Sequence, residues 1–329
     1  MENSIRAPEH QKSKETEFIL RELSALIGSA GHDKVFHSAD PVFFIVGCAR
    51  SGTTLVTQYL AANTNFCYPS NFLSRFFFNP YVGALLQKLL FDLDYKGELF
   101  GAINREFPFQ SSLGKTQGPL APHEFWYFWR RFFHFRDIQK LTAVDVNSVH
   151  QSSFVNELRS IQHVFRQPLF LKAMILNWDI PLLFELVPNC YFIDVSRDLA
   201  HNAYSLLRAR ENFFNDKAKW YSFKPEEFDQ IVLGTAHQQV VDQVYFTRNA
   251  IDKGLKSLPP ERVINVGYES FCNEPSQLLR EISIKAQLDI SKVTKSRGMT
   301  DLKFSPVISD LDYDEYDWGN ILSCSEKYM

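Results

Sequence analysis

The stretch Pro41-Val-Phe-Phe-Ile-Val-Gly-Cys-Ala-Arg-Ser-Gly-Thr-Thr-Leu55 decides the fold. The apolar run 42–46 reads as a strand of a parallel sheet, buried on both faces. Gly47 ends it, and Gly47-Cys48-Ala49-Arg50-Ser51-Gly52 turns into Thr53, Thr54 and a helix beginning at Leu55. A strand, a glycine-bounded loop and a helix start together make an anion cradle. The first amides of a helix have no intrahelical acceptor, and the helix dipole favours negative charge there. The spacing G-x-x-x-x-G matches a nucleotide-phosphate loop, but Thr53 stands where a Walker A loop carries Lys. The basic residue lies inside the loop, at Arg50. The displacement predicts a P-loop-like fold whose donor is not magnesium-bound ATP.

Working outward, strands alternate with helices. Pro168–Lys172, Cys190–Val195 and Arg262–Val266 read as further strands. Ile180–Leu186, Ala203–Arg210, Gln238–Leu255 and Ser276–Ala286 read as helices, as does Phe18–Ile27 before the first strand. The pattern predicts an α/β three-layer sandwich around a parallel sheet, with ligands at the carboxyl ends of its strands. Gly47–Gly52, Lys172, Arg197 and Tyr268 all fall at such ends. Residues 66–165 carry few strand signals and read as a largely helical insertion, with a helix over Phe125–Phe135 started by Pro122. A single domain over 1–329 is expected, with residues 1–14 fraying. The acidic, aromatic tail Asp310–Trp318 reads as either a packed flap or a loose end.

Composition narrows the function. Net charge is −3, so no global basic field draws nucleic acid or anionic membrane, and an anion must be held by local groups. Aromatic residues make up 15% of the chain, with 30 Phe. They crowd between Phe66 and Phe135, as a large core or as the wall of an apolar ligand pocket. Cys48, Cys67, Cys190, Cys272 and Cys324 are scattered without CxxC or zinc spacing, so free thiols and no metal are expected. No secretory h-region and no run long enough to span a membrane is visible, which predicts a cytoplasmic protein.

Three segments then resemble one family in order and spacing over residues 41–286. Arg50-Ser-Gly-Thr-Thr54 resembles the 5′-phosphosulfate loop of sulfotransferases that use 3′-phosphoadenosine 5′-phosphosulfate (PAPS). Phe192-Ile-Asp-Val-Ser-Arg197-Asp198, continuing to Ser205, resembles the family's 3′-phosphate motif. Val266-Gly-Tyr268-Glu269-Ser-Phe271 with Pro275 is similar to its later strand-to-helix segment. The resemblance implies transfer of a sulfuryl group from PAPS to a hydroxyl, less readily an amine, with release of 3′,5′-bisphosphoadenosine (PAP). Arg50, Ser51, Gly52, Thr53 and Thr54 would bind the phosphosulfate, Arg197 and Ser205 the 3′-phosphate, and Tyr268 would flank the nucleotide. Lys172 resembles the Lys that stabilises the transferring group, and Arg50 is also expected to be catalytic, placed for the leaving oxygen of the 5′-phosphate.

The proton acceptor does not carry over. Cytosolic members of the family place His two residues after the strand-end Lys, where this chain has Met174, and tyrosylprotein-type members place Glu where it has Ser70 and Asn71. Glu124 and His123 are the first candidates, Glu124 because Phe125 and Trp126 beside it can raise a carboxyl pKa, and Asp145 and His150 follow. Lys295-Ser-Arg-Gly298 is either a basic segment over the 3′-phosphate or a surface loop. The acceptor is a glycan, a lipid or a small molecule, and the 66–165 section is its expected side of the site. Two rivals remain: an ATP-dependent P-loop kinase, and a PAP- or PAPS-binding module without catalysis.

Overall fold

A computed structural model describes residues 6, 13–28, 30, 33–93, 97–98, 111–295, 304 and 313–328. Four parallel strands form the central sheet: β1 (Val42–Gly47), β2 (Leu169–Lys172), β3 (Cys190–Ser196) and β4 (Val263–Gly267), in the order β2-β1-β3-β4. Side chains alternate between two cores. Val42, Phe44 and Val46 of β1 enter one, with Leu171 and Phe192, while Phe43 and Ile45 enter the other, with Phe170 and Ile193. Both faces are therefore covered, which is why the strands read as continuous apolar runs.

Helices fill the outer layers: α1 (Lys14–Ile27), α2 (Thr53–Asn63), α3 (Pro80–Gln87), α4 (Trp126–Phe132), α5 (Gln151–Phe165), α6 (Ile180–Leu186), α7 (Leu199–Phe214), α8 (Ala236–Lys256), α9 (Tyr268–Asn273), α10 (Ser276–Ala286) and α11 (Glu315–Ser325). Val56, Leu60, Leu279 and Ile282 of α2 and α10 cover one face, and Leu183, Leu207 and Val241 of α6, α7 and α8 cover the other. Among the described residues no helix is long and apolar enough to cross a membrane.

Several elements differ from the sequence reading. Helix α1 starts at Lys14, where the Ser13 hydroxyl accepts from the Thr16 amide at 3.2 Å. The helix expected over 125–135 is only Trp126–Phe132. Phe125 precedes it in the left-handed region, φ 59°, because its amide turns back to His123 Nδ1 at 2.9 Å. Pro122 does not start it. The rings of this run are core: Phe125, Phe128, Trp129 and Phe133 are buried, and Phe154 packs against Phe128, Trp129, Phe132 and Phe133. Ser111–Ser112 and Lys115–Thr116 form an unexpected antiparallel hairpin. Of the tail over 310–318, residues 310–312 lie outside the described set and the rest is packed: α11 lies on α7 and α8, and its Asp317 accepts from Lys217 at 2.7 Å and pairs with His237 at 2.9 Å.

Register brings the strand ends together. Gly47 pairs with Val195, Ile45 with Lys172, and Ser196 with Gly267. The chain runs from β1 outward to β2, then crosses to β3 on the other side. The crevice beyond β1 and β3 is thus the switch point where such sheets bind ligands.

One charged pair is buried in this frame. Asp194 of β3 accepts from Arg248 of α8 at 2.7 and 3.0 Å, and Arg248 also meets Asp252 at 2.7 Å. Burial raises the Asp194 pKa and the guanidinium opposes it. Arg248→Met leaves the carboxylate unpaired and is expected to cost about 3–5 kcal/mol at neutral pH. A carboxyl whose folded pKa is raised penalises folding once ionised, so the deficit should shrink as pH falls from about 7 to about 5. Thermal melts of both proteins across that range check this; a deficit independent of pH contradicts it.

Candidate active site

The loop after β1 is shaped by two close approaches. A Cβ at Gly47 would stand 2.6 Å from the Val195 carbonyl oxygen and 2.8 Å from Ser51 Oγ. At Gly52, φ 100°, it would stand 2.3 Å from the Tyr268 ring. Both positions therefore require glycine. Arg50 adopts φ 69°, a left-handed residue between them. The loop carbonyls are held from outside. Asn177 Nδ2 donates to Gly47 O at 2.9 Å, Asn202 Nδ2 to Ala49 O at 2.7 Å, and Arg197 Nη1 to Arg50 O at 3.1 Å. The Cys48 carbonyl receives the Ser51 amide at 3.1 Å. With the carbonyls tied back, the amides of Gly52, Thr53 and Thr54 open the helix without intrahelical acceptors. Ser51 Oγ is buried with no partner.

A second cationic site adjoins the loop. Arg197 follows β3 and packs over the Tyr268 ring at 4.6 Å. Its Nη1 is used, but Nε and Nη2 are buried and have no acceptor. Burial pushes its pKa below the usual arginine value, while Tyr268 and Glu269 oppose. An arginine with two buried, unanswered donors is built for an acceptor the protein does not supply. Ser205, one helix turn and more into α7, accepts from Arg50 Nε at 3.3 Å. Arg50, Arg197 and Ser205 therefore meet. A cavity of about 140 Å³ lies beside them, lined by Ser51, Arg197, Asn202 and Arg248 among others.

Lys172, at the end of β2, is buried and bridges the loop to a carboxylate. Its Nζ donates to Thr54 Oγ1 at 3.1 Å and to Glu124 Oε1 at 2.5 Å. Met174 is also drawn in, accepting from Thr53 Oγ1 at 3.2 Å. His123 lies next to this pair in sequence, but its Nδ1 accepts the Phe125 amide, and burial lowers its pKa to about 4. The hairpin tip covers the pair: a Cβ at Gly114 would stand 3.3 Å from Glu124 Oε1 and 3.7 Å from Thr54 Oγ1. Tyr221 Oη holds the tip through Leu113 O at 3.3 Å.

The remaining candidates lie elsewhere. Asp145 caps the short helix Ala143–Asn147, bonded to Thr142, and His150 stands exposed at the N-terminus of α5. Lys295 Nζ donates to Ala61 O at 2.6 Å, near the end of α2 remote from the loop. Residues 296–298 lie outside the described set. Sequence reasoning missed Asn177, Asn202, Gly114 and Tyr221. Only Gly114 carried a signal, as a turn glycine, and nothing in the sequence named what it would touch. Among the described residues no group of His, Cys, Asp or Glu could hold a metal ion.

Comparison with known proteins supplies the family. The profile described as "Sulfotransferase family" matches residues 41–291. Omega-hydroxy-beta-dihydromenaquinone-9 sulfotransferase Stf3 of Mycobacterium bovis is 23% identical over 258 residues, 74% of this chain and 62% of its own length. Its counterpart in Mycobacterium tuberculosis matches to the same extent. The chain thus spans less than two thirds of the curated relatives it matches. The crystal structure of sulfotransferase STF1 from Mycobacterium tuberculosis H37Rv shares the fold, with a TM-score of 0.52 at 13% identity, over 96% of this chain and 85% of that one. The profile match contains the loop after β1, Glu124, Lys172, Arg197, Ser205 and Tyr268, and this chain belongs to the sulfotransferase family.

Proposed function

We propose that this protein transfers a sulfuryl group from PAPS to a hydroxyl, less readily to an amine, and releases PAP. The observation that carries this reading is Arg197. Its two buried donors without acceptors stand beside a phosphate-type loop to which its third donor is tied. Two linked anion sites suit a nucleotide bearing both a 3′-phosphate and a 5′-phosphosulfate. An ATP kinase has no use for the second. Glu124, held at Lys172, speaks against a module without catalysis.

When bound, PAPS supplies an activated sulfuryl group on its 5′-phosphate. The amides of Gly52, Thr53 and Thr54, with Arg50 and Ser51, would hold that end; Arg197 and Ser205 would hold the 3′-phosphate. Glu124 takes the proton from the acceptor hydroxyl as the new S–O bond forms and the bond to the 5′-phosphate breaks. Lys172, bonded to both Glu124 and Thr54, would offer its charge to the oxygen that turns negative as the sulfuryl group leaves. His123 is a poor base at neutral pH and instead holds the turn that presents Glu124. The half-buried Trp126 and Phe223, whose rings lie 5.5 Å apart, form an apolar wall close to that turn and suit a lipid-like acceptor. The M. bovis relative is named for a hydroxylated menaquinone, so hydroxylated lipids lead the acceptor screen, ahead of glycans and small molecules.

Thermal melting with PAP, ADP and Mg-ATP at equal concentration tests the donor. Ligand at 100 times its Kd stabilises by about 2.7 kcal/mol, a shift of a few degrees. A shift with PAP that ADP does not match is expected; a shift with Mg-ATP alone returns the kinase reading. Arg197→Ala is expected to weaken PAP by about 1.5–3 kcal/mol by calorimetry. Unchanged affinity removes Arg197 from the 3′-phosphate. Glu124→Gln keeps a partner for Lys172 but cannot take a proton. Its kcat should fall by roughly 100-fold or more with PAP affinity intact, and wild-type turnover would discard Glu124 as the base.

A further inference from the structure

The C-terminal arm, Tyr313 with α11, lies beyond the residues matched by the family profile. It is nonetheless built into the nucleotide side of the site. The Tyr313 ring packs on Tyr204 of α7 at 4.9 Å and on Trp318 at 4.6 Å, and Trp318 packs on His201 at 5.0 Å. Tyr204 Oη also accepts the Asp314 amide at 2.9 Å. Tyr204 precedes Ser205, and Arg197 stands just before α7, so Tyr313 caps the end of α7 that carries the second anion site. The arm is anchored at its other end as well. Asp317 is held by Lys217 and His237, and Tyr328 stacks on Tyr245 at 3.6 Å with its hydroxyl donating to Asp242 at 2.6 Å.

Amid these contacts one group is unanswered. The Tyr313 hydroxyl is buried and has no hydrogen-bond partner. It is near enough to Arg197 for the two to act on each other electrostatically, and burial raises its pKa, so it stays protonated at neutral pH. Three buried donors thus lack partners here, Arg197 Nε, Arg197 Nη2 and Tyr313 Oη, along with Ser51 Oγ and Glu269 Oε1. Leaving each unsatisfied is costly, and one multivalent acceptor answers all three.

We propose that Tyr313 completes the 3′-phosphate site, donating its hydroxyl to the same phosphate as Arg197 and Ser205, and so makes the C-terminal arm part of nucleotide recognition. The proposal rests on the PAPS reading above. Bound nucleotide then ties the arm to α7, and the arm selects for the 3′-phosphate.

Tyr313→Phe keeps the ring packing and removes only the donor. Calorimetry with PAP and with 5′-AMP, which lacks the 3′-phosphate, gives the test. PAP affinity should fall by about 10–150-fold, the worth of one hydrogen bond to a charged group, with 5′-AMP affinity unchanged. Hydrogen exchange gives a second reading: PAP should slow exchange over 313–328 in the wild type, and clearly less so in the variant. Wild-type PAP affinity in Tyr313→Phe overturns the assignment while leaving the PAPS reading intact, as does an equal loss for PAP and 5′-AMP, which marks a packing role. A wild-type protein that binds PAP no better than 5′-AMP sinks the 3′-phosphate site itself, and Tyr313 with it.

Discussion

The structure turns on a backbone problem. Between Gly47 and Gly52 the chain must reverse from a buried strand into a helix while its carbonyls face the protein and its amides are left free for an anion. A short loop cannot satisfy its own carbonyls in that shape. Side chains from three other segments do so: Asn177 after β2, Arg197 after β3 and Asn202 within α7. The parallel register is what puts those segments in reach. The same constraint explains the two glycines, pressed against Val195 and Tyr268, and the left-handed Arg50. Arg197 has a double part, since one donor fixes the loop and two are buried without an acceptor. The loop and Arg197, the two proposed anion sites, are thereby coupled in geometry.

The proposed reacting side is built on a second strained turn. Phe125 adopts φ 59°, a conformation that costs a bulky residue about 1–3 kcal/mol. The burial of its ring and the bond from its amide to His123 hold it there. The result is that Glu124 reaches Lys172 while the following rings pack into the core beneath β1. The aromatic run is thus structural in bulk, and the turn before it aims one carboxylate, Glu124, at Lys172.

Much of this was legible in the sequence because it follows from short-range rules. Apolar runs ending in Gly47, Lys172, Ser196 and Gly267 give the strands, and a parallel sheet puts their ends on one edge. The placement of Arg50, Lys172, Arg197 and Ser205 needs no more than that. The hairpin at Ser111–Thr116 was not legible, since two-residue strands carry no periodicity. The left-handed Phe125 was not legible either, because its cause is a bond to His123 and burial of its own ring. Asn177 and Asn202 look like any polar residues in a helix or turn until their carbonyl partners are known. The tail was ambiguous for the same reason: Tyr313, Trp318 and Tyr328 gain meaning only against Tyr204 and Tyr245, which lie over 80 positions away.

The hairpin tip has a consequence for side reactions. An activated sulfuryl group can be captured by water as well as by an acceptor, and a carboxylate beside it would assist either. Gly114 stands over Glu124 and Thr54, with Tyr221 holding the turn in position. On the proposed reading of Glu124 as base, the tip leaves its carboxylate only partly open to solvent while no acceptor is present. In the proposed reaction, a tip held this way would narrow the access of water to the sulfuryl group, and loosening it would favour hydrolysis of the donor over transfer.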